Sequence, residues 1–345
     1  MLLLAAESCL LYDALNNSFP DNLLIEQFFH HEWHGLRFWD LVQPAFMFIA
    51  GCSLFISWAR KRDKGVLWSE NLRHVAIRSL RLFLFGVALH CVYSGKLVWE
   101  LWNVLTQLAF TTLIAFLIIR WSVVRQVAFS IFLLILTDVL YKVVLVPGYD
   151  QPFVKGENFG AFVDMLIMGK HNSGGWAAIN IIPTAAHTIW GVLVGKLLIS
   201  SDPILSKLKT VIIAGIVCLI IGYSLNLSGV TPIIKRISTS SFVFVSGGYV
   251  LLILAFISWI TDAKGFTRYA WIPIVVGMNP IFIYLFFETV GKQWFNGITD
   301  IFVGGTFRLM GIPLNTTSIL VALATLAAEW YLCYWLYKRR IFFKL

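Results

Sequence analysis

The sequence predicts an all-α protein, a polytopic bundle of about ten transmembrane helices, and three observations carry that expectation. Only 13% of the 345 residues are charged, where a soluble domain has about 25%. Mean hydropathy is +0.79. Uncharged runs near the ~20 residues needed to cross a bilayer recur along the whole chain.

Apolar runs bounded by charges, glycines and prolines place the spans, in order, at 2–15, 38–58, 79–93, 99–121, 124–146, 176–199, 211–227, 242–260, 271–290 and 318–337. Together they read as one transmembrane domain over 1–345. The first run is short and carries Glu7 and Asp13. About 14 residues at ~1.5 Å each reach ~21 Å, less than a ~30 Å hydrocarbon core. It also lacks the charged start and small-residue cleavage site of a signal peptide. The expectation is therefore a first span truncated at its start.

Most of the 27 basic residues fall on one side of these spans. They include Arg60, Lys61, Arg62, Lys64, Arg73, Arg78, Arg81, Lys196, Lys207, Lys209, Lys338, Arg339, Arg340 and Lys344. Basic loops stay cytoplasmic, so both chain ends are expected in the cytoplasm and residues 30–35 on the outer face. The same asymmetry accounts for the net charge of +9. The basic residues lack the aromatic interleaving of a strand-binding groove, so no nucleic-acid partner is expected. The longest outer loops are predicted at 147–175 and 291–317. Phe153, Phe159, Trp294, Phe295, Phe302 and Phe307 mark them as packed lids rather than free linkers.

Polar residues inside spans are costly and mark either sites or interhelical hydrogen bonds. Asn180, Thr184 and His187 share one helical stripe, and Asn103 and Gln107 form a second pair. Asp40 and Gln43 open the second span, and Asp138 lies within the fifth. Asn279 precedes Pro280, which frees a backbone carbonyl near mid-membrane, and this weights Asn279 toward a site. For Asn103, Gln107 and Asp138 both readings stay open, and for His187 an interhelical bond is the readier one. Cys9, Cys52, Cys91, Cys218 and Cys333 lie in apolar segments without paired spacing, so neither a disulfide framework nor a zinc cluster is expected.

The stretch HHEWHG, residues 30–35, holds three of the seven histidines. A zinc-protease helix needs H-E-x-x-H, and here the second histidine comes one residue early. No metal is expected. What remains is an interfacial cluster flanked by Trp33 and Trp39, or acid/base chemistry by a histidine whose second nitrogen Asp40 orients. Residue type leaves His30, His31 and His34 open for that role.

The segment HHEWHGLRFWDLVQPAFMFIAGCSL resembles the signature of the heparan-α-glucosaminide N-acetyltransferase family of transmembrane acyltransferases, its bacterial members included. The matching residues are His30, Trp33, Gly35, Asp40, Pro44, Phe46, Phe48, Gly51 and Ser53. IPTAAHTIWGVLVGKLL, STSSFVF, VVGMNPIFIY and the LYKRRIFFKL tail resemble further family segments in the right order. The chain departs from the family in lacking a D-x-x-R-G opening and in having Gln43 before Pro44. The resemblance implies transfer of an acetyl or other acyl group from cytoplasmic acetyl-CoA to an amino sugar or glycan across the membrane. It aligns the active histidine with His30.

On that reading His30 and Asp40 are the catalytic candidates. Asn180, Asn279, Trp33 and His187 are substrate-binding candidates. Arg73, Arg78 and Lys196 are candidates for the CoA phosphates, a role that competes with simple anchoring of the cytoplasmic face. The setting would be the bacterial inner membrane, with membrane lipid and a small-molecule or glycan acceptor as partners and a homodimer compatible with it. The alternative class is a small-solute transporter or channel using the same polar groups.

Overall fold

The computed structural model describes residues 1–343, so Lys344 of the basic tail lies outside the described residues. The fold is all-α, with no strand among those residues. In chain order the α-helices are α1 Leu2–Ser8, α2 Leu11–Ser18, α3 Leu23–Glu26, α4 Val42–Asp63, α5 Trp68–Ser94, α6 Val104–Leu117, α7 Val123–Val143 and α8 Phe159–Met168. They continue with α9 Ile181–Leu198, α10 Ile204–Leu227, α11 Ser240–Ser258, α12 Trp271–Gly277, α13 Pro280–Phe286, α14 Asn296–Thr299, α15 Gly305–Leu309 and α16 Leu314–Lys338.

Seven helical segments are long and apolar enough to cross a bilayer: Phe38–Asp63, Trp68–Ser94, Val123–Val143, Ala178–Leu198, Ile204–Leu227, Ser240–Ala263 and Leu314–Lys338. Trp271–Gly277 and Pro280–Leu309, bent by 78° at the break, make an eighth if they act as one span. The protein is an integral, multi-pass membrane protein of helical-bundle type.

Four segments differ from the sequence expectation for local reasons. The 2–15 run is two short helices, because Leu10 takes a left-handed φ of 60° between them and interrupts the hydrogen-bond ladder. The 99–121 run forms only a 14-residue helix. Asn103 starts it, its Oδ1 accepting the N–H groups of Leu105 and Thr106 as an N-cap. The 79–93 span extends back to Trp68, since a helix continues past its apolar stretch into exposed positions such as Glu70 and Arg73. The predicted outer loop 291–317 is instead helical as far as Leu309. Wider π turns at Phe287–Phe295 and Asp300–Gly304 absorb its glycines without ending the helix.

The chain packs into two compact units. One comprises Met1–Phe29, Cys91–Lys96 and Gly265–Leu345, and the other His30–His90 and Leu97–Lys264. In the second, α9 is the axis. The span containing it is 67% buried, against 17% for the one formed by α10. α4 lies against α9 at backbone contact. A Cβ on Gly51 would collide with the Thr188 carbonyl, and one on Gly191 would collide with that of Phe48. Small residues at reciprocal positions let two membrane helices approach this closely, with dispersion rather than apolar burial as the gain. Phe55, Ala115, Phe116, Ala185 and Ile189 fill one side of the axis, and Trp190, Phe242, Val243 and Val245 the other.

In the first unit α16 packs against α1, α2 and α12. Asn279 stands at the break between α12 and α13. Its amide donates to the Ile341 carbonyl at 2.8 Å and accepts the Phe343 N–H at 2.9 Å, which ties down the tail.

Replacing Gly51 or Gly191 with alanine puts a methyl group onto a carbonyl that has no room to retreat. Each variant is expected to lose about 1–3 kcal/mol of stability by overpacking, read as an earlier thermal unfolding midpoint in detergent. A control Gly277→Ala, where the space is open, escapes this steric penalty.

Candidate functional site

The site is built from three loops of the second unit. The first is 30–37, which enters the short 3₁₀ turn Phe38–Leu41 and then α4. Gly35 has φ +136° and donates its N–H to the Ile233 carbonyl at 2.8 Å. A side chain there would strike the His31 ring. Asp40, 1% exposed, reaches back from the turn. Its Oδ2 accepts the N–H of Arg37 at 2.9 Å and of His31 at 3.3 Å. Its Oδ1 lies 2.9 Å from His30 Nδ1.

The second loop, between α10 and α11, delivers Lys235. Its Nζ stands 3.1 Å from His30 Nδ1 and 3.4 Å from Asp40 Oδ1. Hydroxyl groups knot this loop. Thr239 Oγ1 and Ser241 Oγ both donate to the Pro232 carbonyl, at 2.7 and 2.6 Å, while Thr239 Oγ1 accepts the Ile234 N–H. The knot holds Ser238 at a left-handed φ of 50°, a conformation a non-glycine residue keeps only when its surroundings impose it. The third loop precedes α9 and supplies Trp176. Its ring meets His30 edge-on at 5.6 Å and lies beneath both Lys235 at 5.3 Å and Arg236 at 5.8 Å. Ala177 N–H and Asn180 Nδ2 both bond the Arg236 carbonyl, clamping the second loop to the third.

His30 keeps 38% of its side chain accessible. Nδ1 is engaged, and Nε2 has no hydrogen-bond partner among the described residues. Burial pushes the His30 pKa below its ordinary value. The Asp40 hydrogen bond opposes that shift, and the positive charges of Lys235 and Arg236 reinforce it. The ring is therefore neutral at neutral pH, with its outer nitrogen able to accept a proton.

The sequence candidates divide. His30 and Asp40 meet directly. Trp33 serves as a peg, with Nε1 donating to the Phe153 carbonyl at 2.7 Å and its ring against Gly175. Asn180 reaches the rim through the Arg236 carbonyl and leaves Oδ1 buried without a partner. His187 lies deeper along α9, fully buried, its Nε2 3.1 Å from both the Val243 carbonyl and Ser246 Oγ on α11. That is the interhelical bond the sequence favoured. Asn279 belongs to the first unit and its amide is committed to the tail. Arg73 and Lys196 are exposed on α5 and α9, and Arg78 is half-buried. His34 is exposed, while the His31 ring sits under Gly35.

Sequence reasoning missed Lys235, Arg236 and Trp176. One signal was present: Lys235 and Arg236 form a basic pair in a loop that the charge asymmetry assigns to the outer face, where such pairs are uncommon.

The fold and this site define a multi-pass membrane protein with a histidine–carboxylate pair locked by a buried lysine. No protein-family model matches the chain, and no curated protein matches it either.

Replacing Lys235 with methionine removes a positive charge beside the ring and leaves Asp40 in place, so protonated His30 becomes easier to form. The pH midpoint for carbethoxylation of His30, followed by peptide mass, should move upward. An unmoved midpoint would mean that Lys235 does not set the charge of the ring.

Proposed function

We propose that the protein is an acyl-CoA-dependent membrane acyltransferase. It moves an acetyl group from cytoplasmic acetyl-CoA to the nitrogen or oxygen of an amino sugar or glycan on the outer side of a bacterial inner membrane. The observation that carries this reading is the His30–Asp40 pair, which joins the histidine that the resemblance aligns with the family's active residue to an aspartate of the same matched segment.

Asp40 binds the Nδ1 proton and so leaves the Nε2 lone pair outward. As the acceptor attacks the thioester carbonyl, Nε2 takes the acceptor's proton and later returns it to the leaving CoA thiolate. If Nε2 attacks the carbonyl itself, the same tautomer makes it a transient acyl carrier, and the acceptor releases it in a second step. The Lys235 ammonium, 3.1 Å from the ring, is the nearby donor suited to the developing oxyanion, and Asn180 holds the loop that carries it through the Arg236 carbonyl.

The course of the helices supports opposite faces for the two substrates. α4 starts beside Asp40 and carries Arg60, Lys61 and Arg62 in its last turn, about 27–30 Å away at ~1.5 Å per residue. α9 starts beside Asn180 and carries Lys196 in its last turn. On this reading both termini are cytoplasmic, the His30 loop is periplasmic, and Arg73, Arg78 and Lys196 attract the CoA phosphates.

A transporter for a small solute is the second reading, favoured by the broken span at Asn279–Pro280. Uptake into proteoliposomes without any acyl-CoA would support it.

His30→Ala should abolish transfer from labelled acetyl-CoA to an amino-sugar panel, a loss of about 10²–10⁴-fold or more, with the thermal unfolding midpoint little changed at this partly exposed position. In the wild type, activity should fall as pH drops through the His30 pKa, which lies below the ordinary histidine value. Full turnover by His30→Ala would refute the assignment.

A further inference from the structure

The first unit holds a buried carboxyl group that acyl transfer does not use. Glu329, midway along α16, is 1% exposed. Its Oε1 lies 3.3 Å from Ser8 Oγ on α1, and Ser8 Oγ lies 3.1 Å from the Phe287 carbonyl at the start of a π turn. Gly291, on the next turn, leaves the space for this meeting. A Cβ there would come within 2.5 Å of Ser8 Oγ and 2.8 Å of Glu329 Oε1. Glu329 Oε2 is buried and has no partner among the described residues.

A serine hydroxyl has one hydrogen and two acceptor lone pairs. Ser8 therefore cannot donate to the Phe287 carbonyl and to Glu329 together. If Glu329 is ionised, it competes with the Phe287 carbonyl for that single hydrogen, and a buried charge is left with at most one neutral hydrogen bond, a costly state. If Glu329 is protonated on Oε1, both contacts are satisfied in sequence. The carboxyl O–H donates to Ser8 Oγ, and the Ser8 O–H donates to the Phe287 carbonyl.

We infer that Glu329 and Ser8 form a proton-binding site within the membrane, with Glu329 carrying an exchangeable proton at neutral pH. The groups facing it do not offer an alternative neutralising charge at hydrogen-bond distance. The Cys9 thiol at the end of α1 and the Cys333 thiol of α16 are the titratable groups that feel its charge. The ammonium of Lys292 on the π turn is engaged elsewhere, by Glu288 at 3.2 Å and Glu7 at 3.7 Å. Intramembrane carboxyl groups of this kind mark proton or ion pathways. The inference is independent of the acyltransferase reading.

The test is infrared spectroscopy of the full-length protein in lipid. Wild type at neutral pH should show the carbonyl stretch of a protonated carboxylic acid, shifting in heavy water. Glu329→Gln should remove that band. Ser8→Ala should keep it but shift it to the frequency of a carboxyl without a hydrogen-bond acceptor, a readout that survives if Glu329→Gln fails to fold. Absence of a Glu329 acid band overturns the proposal, as does a band that heavy water does not move. Stabilisation by sodium over choline at equal ionic strength, with no acid band, would assign the site to a metal cation and also overturn it.

Discussion

The candidate site rests on the carboxylate of Asp40. Burying a charge in a membrane protein is tolerable only when every lone pair has a donor, and Asp40 meets that demand with partners from two distant segments. Two are backbone N–H groups of its own loop, at His31 and Arg37. The other two are side chains, His30 and Lys235, the latter nearly two hundred residues further on. The loop conformation, the histidine's orientation and the docking of the lysine loop therefore depend on one another. Removing the carboxylate would leave a buried ammonium facing an imidazole with no anion between them.

That arrangement needs loops to converge that are far apart in sequence, and the helix axes bring them together. The contact of α4 with α9 through Gly51 and Gly191 fixes the first and third loops at one end of the pair. α11 packs on α9 partly through His187, whose bonds to Val243 and Ser246 bring the start of α11 into register. The hydroxyls of Thr239 and Ser241 then fold the preceding loop back on itself so that Lys235 faces inward. His187 thus shapes the site from a distance without touching it.

The fold class was legible because hydropathy reports burial in lipid, and bilayer thickness sets span length. What it reports poorly is where a helix ends, which local groups decide. The side-chain cap at Asn103 shortened one span, left-handed Leu10 split another, and π turns carried a third through its glycines. The His30–Asp40 pair was legible because both residues fall in one short segment. Lys235 and Trp176 were not, since nothing local specifies contacts with His30 from positions so far along the chain. Asn279 shows the converse error of emphasis. A polar residue before a proline does mark freed backbone, but here its amide satisfies backbone groups of the tail.

Lys235 also constrains what His30 can do. Nδ1 has one site for a hydrogen bond in its plane, and it is close to both an acceptor, Asp40, and a donor, Lys235. With the proton on Nδ1 the ring donates to Asp40, Lys235 also bonds the carboxylate, and Nε2 is a free base. With the proton on Nε2 the ring instead accepts from Lys235 and presents a donor outward. The two tautomers differ by a small movement of the ammonium between partners 3.1 and 3.4 Å away. Because the Asp40 carboxylate faces both groups, the first arrangement keeps both of its Oδ1 contacts charge-assisted or hydrogen-bonded, while the second gives one of them up. Electrostatics thus select the tautomer with a basic outer nitrogen, and Lys235 holds it there by occupying the carboxylate without protonating the ring.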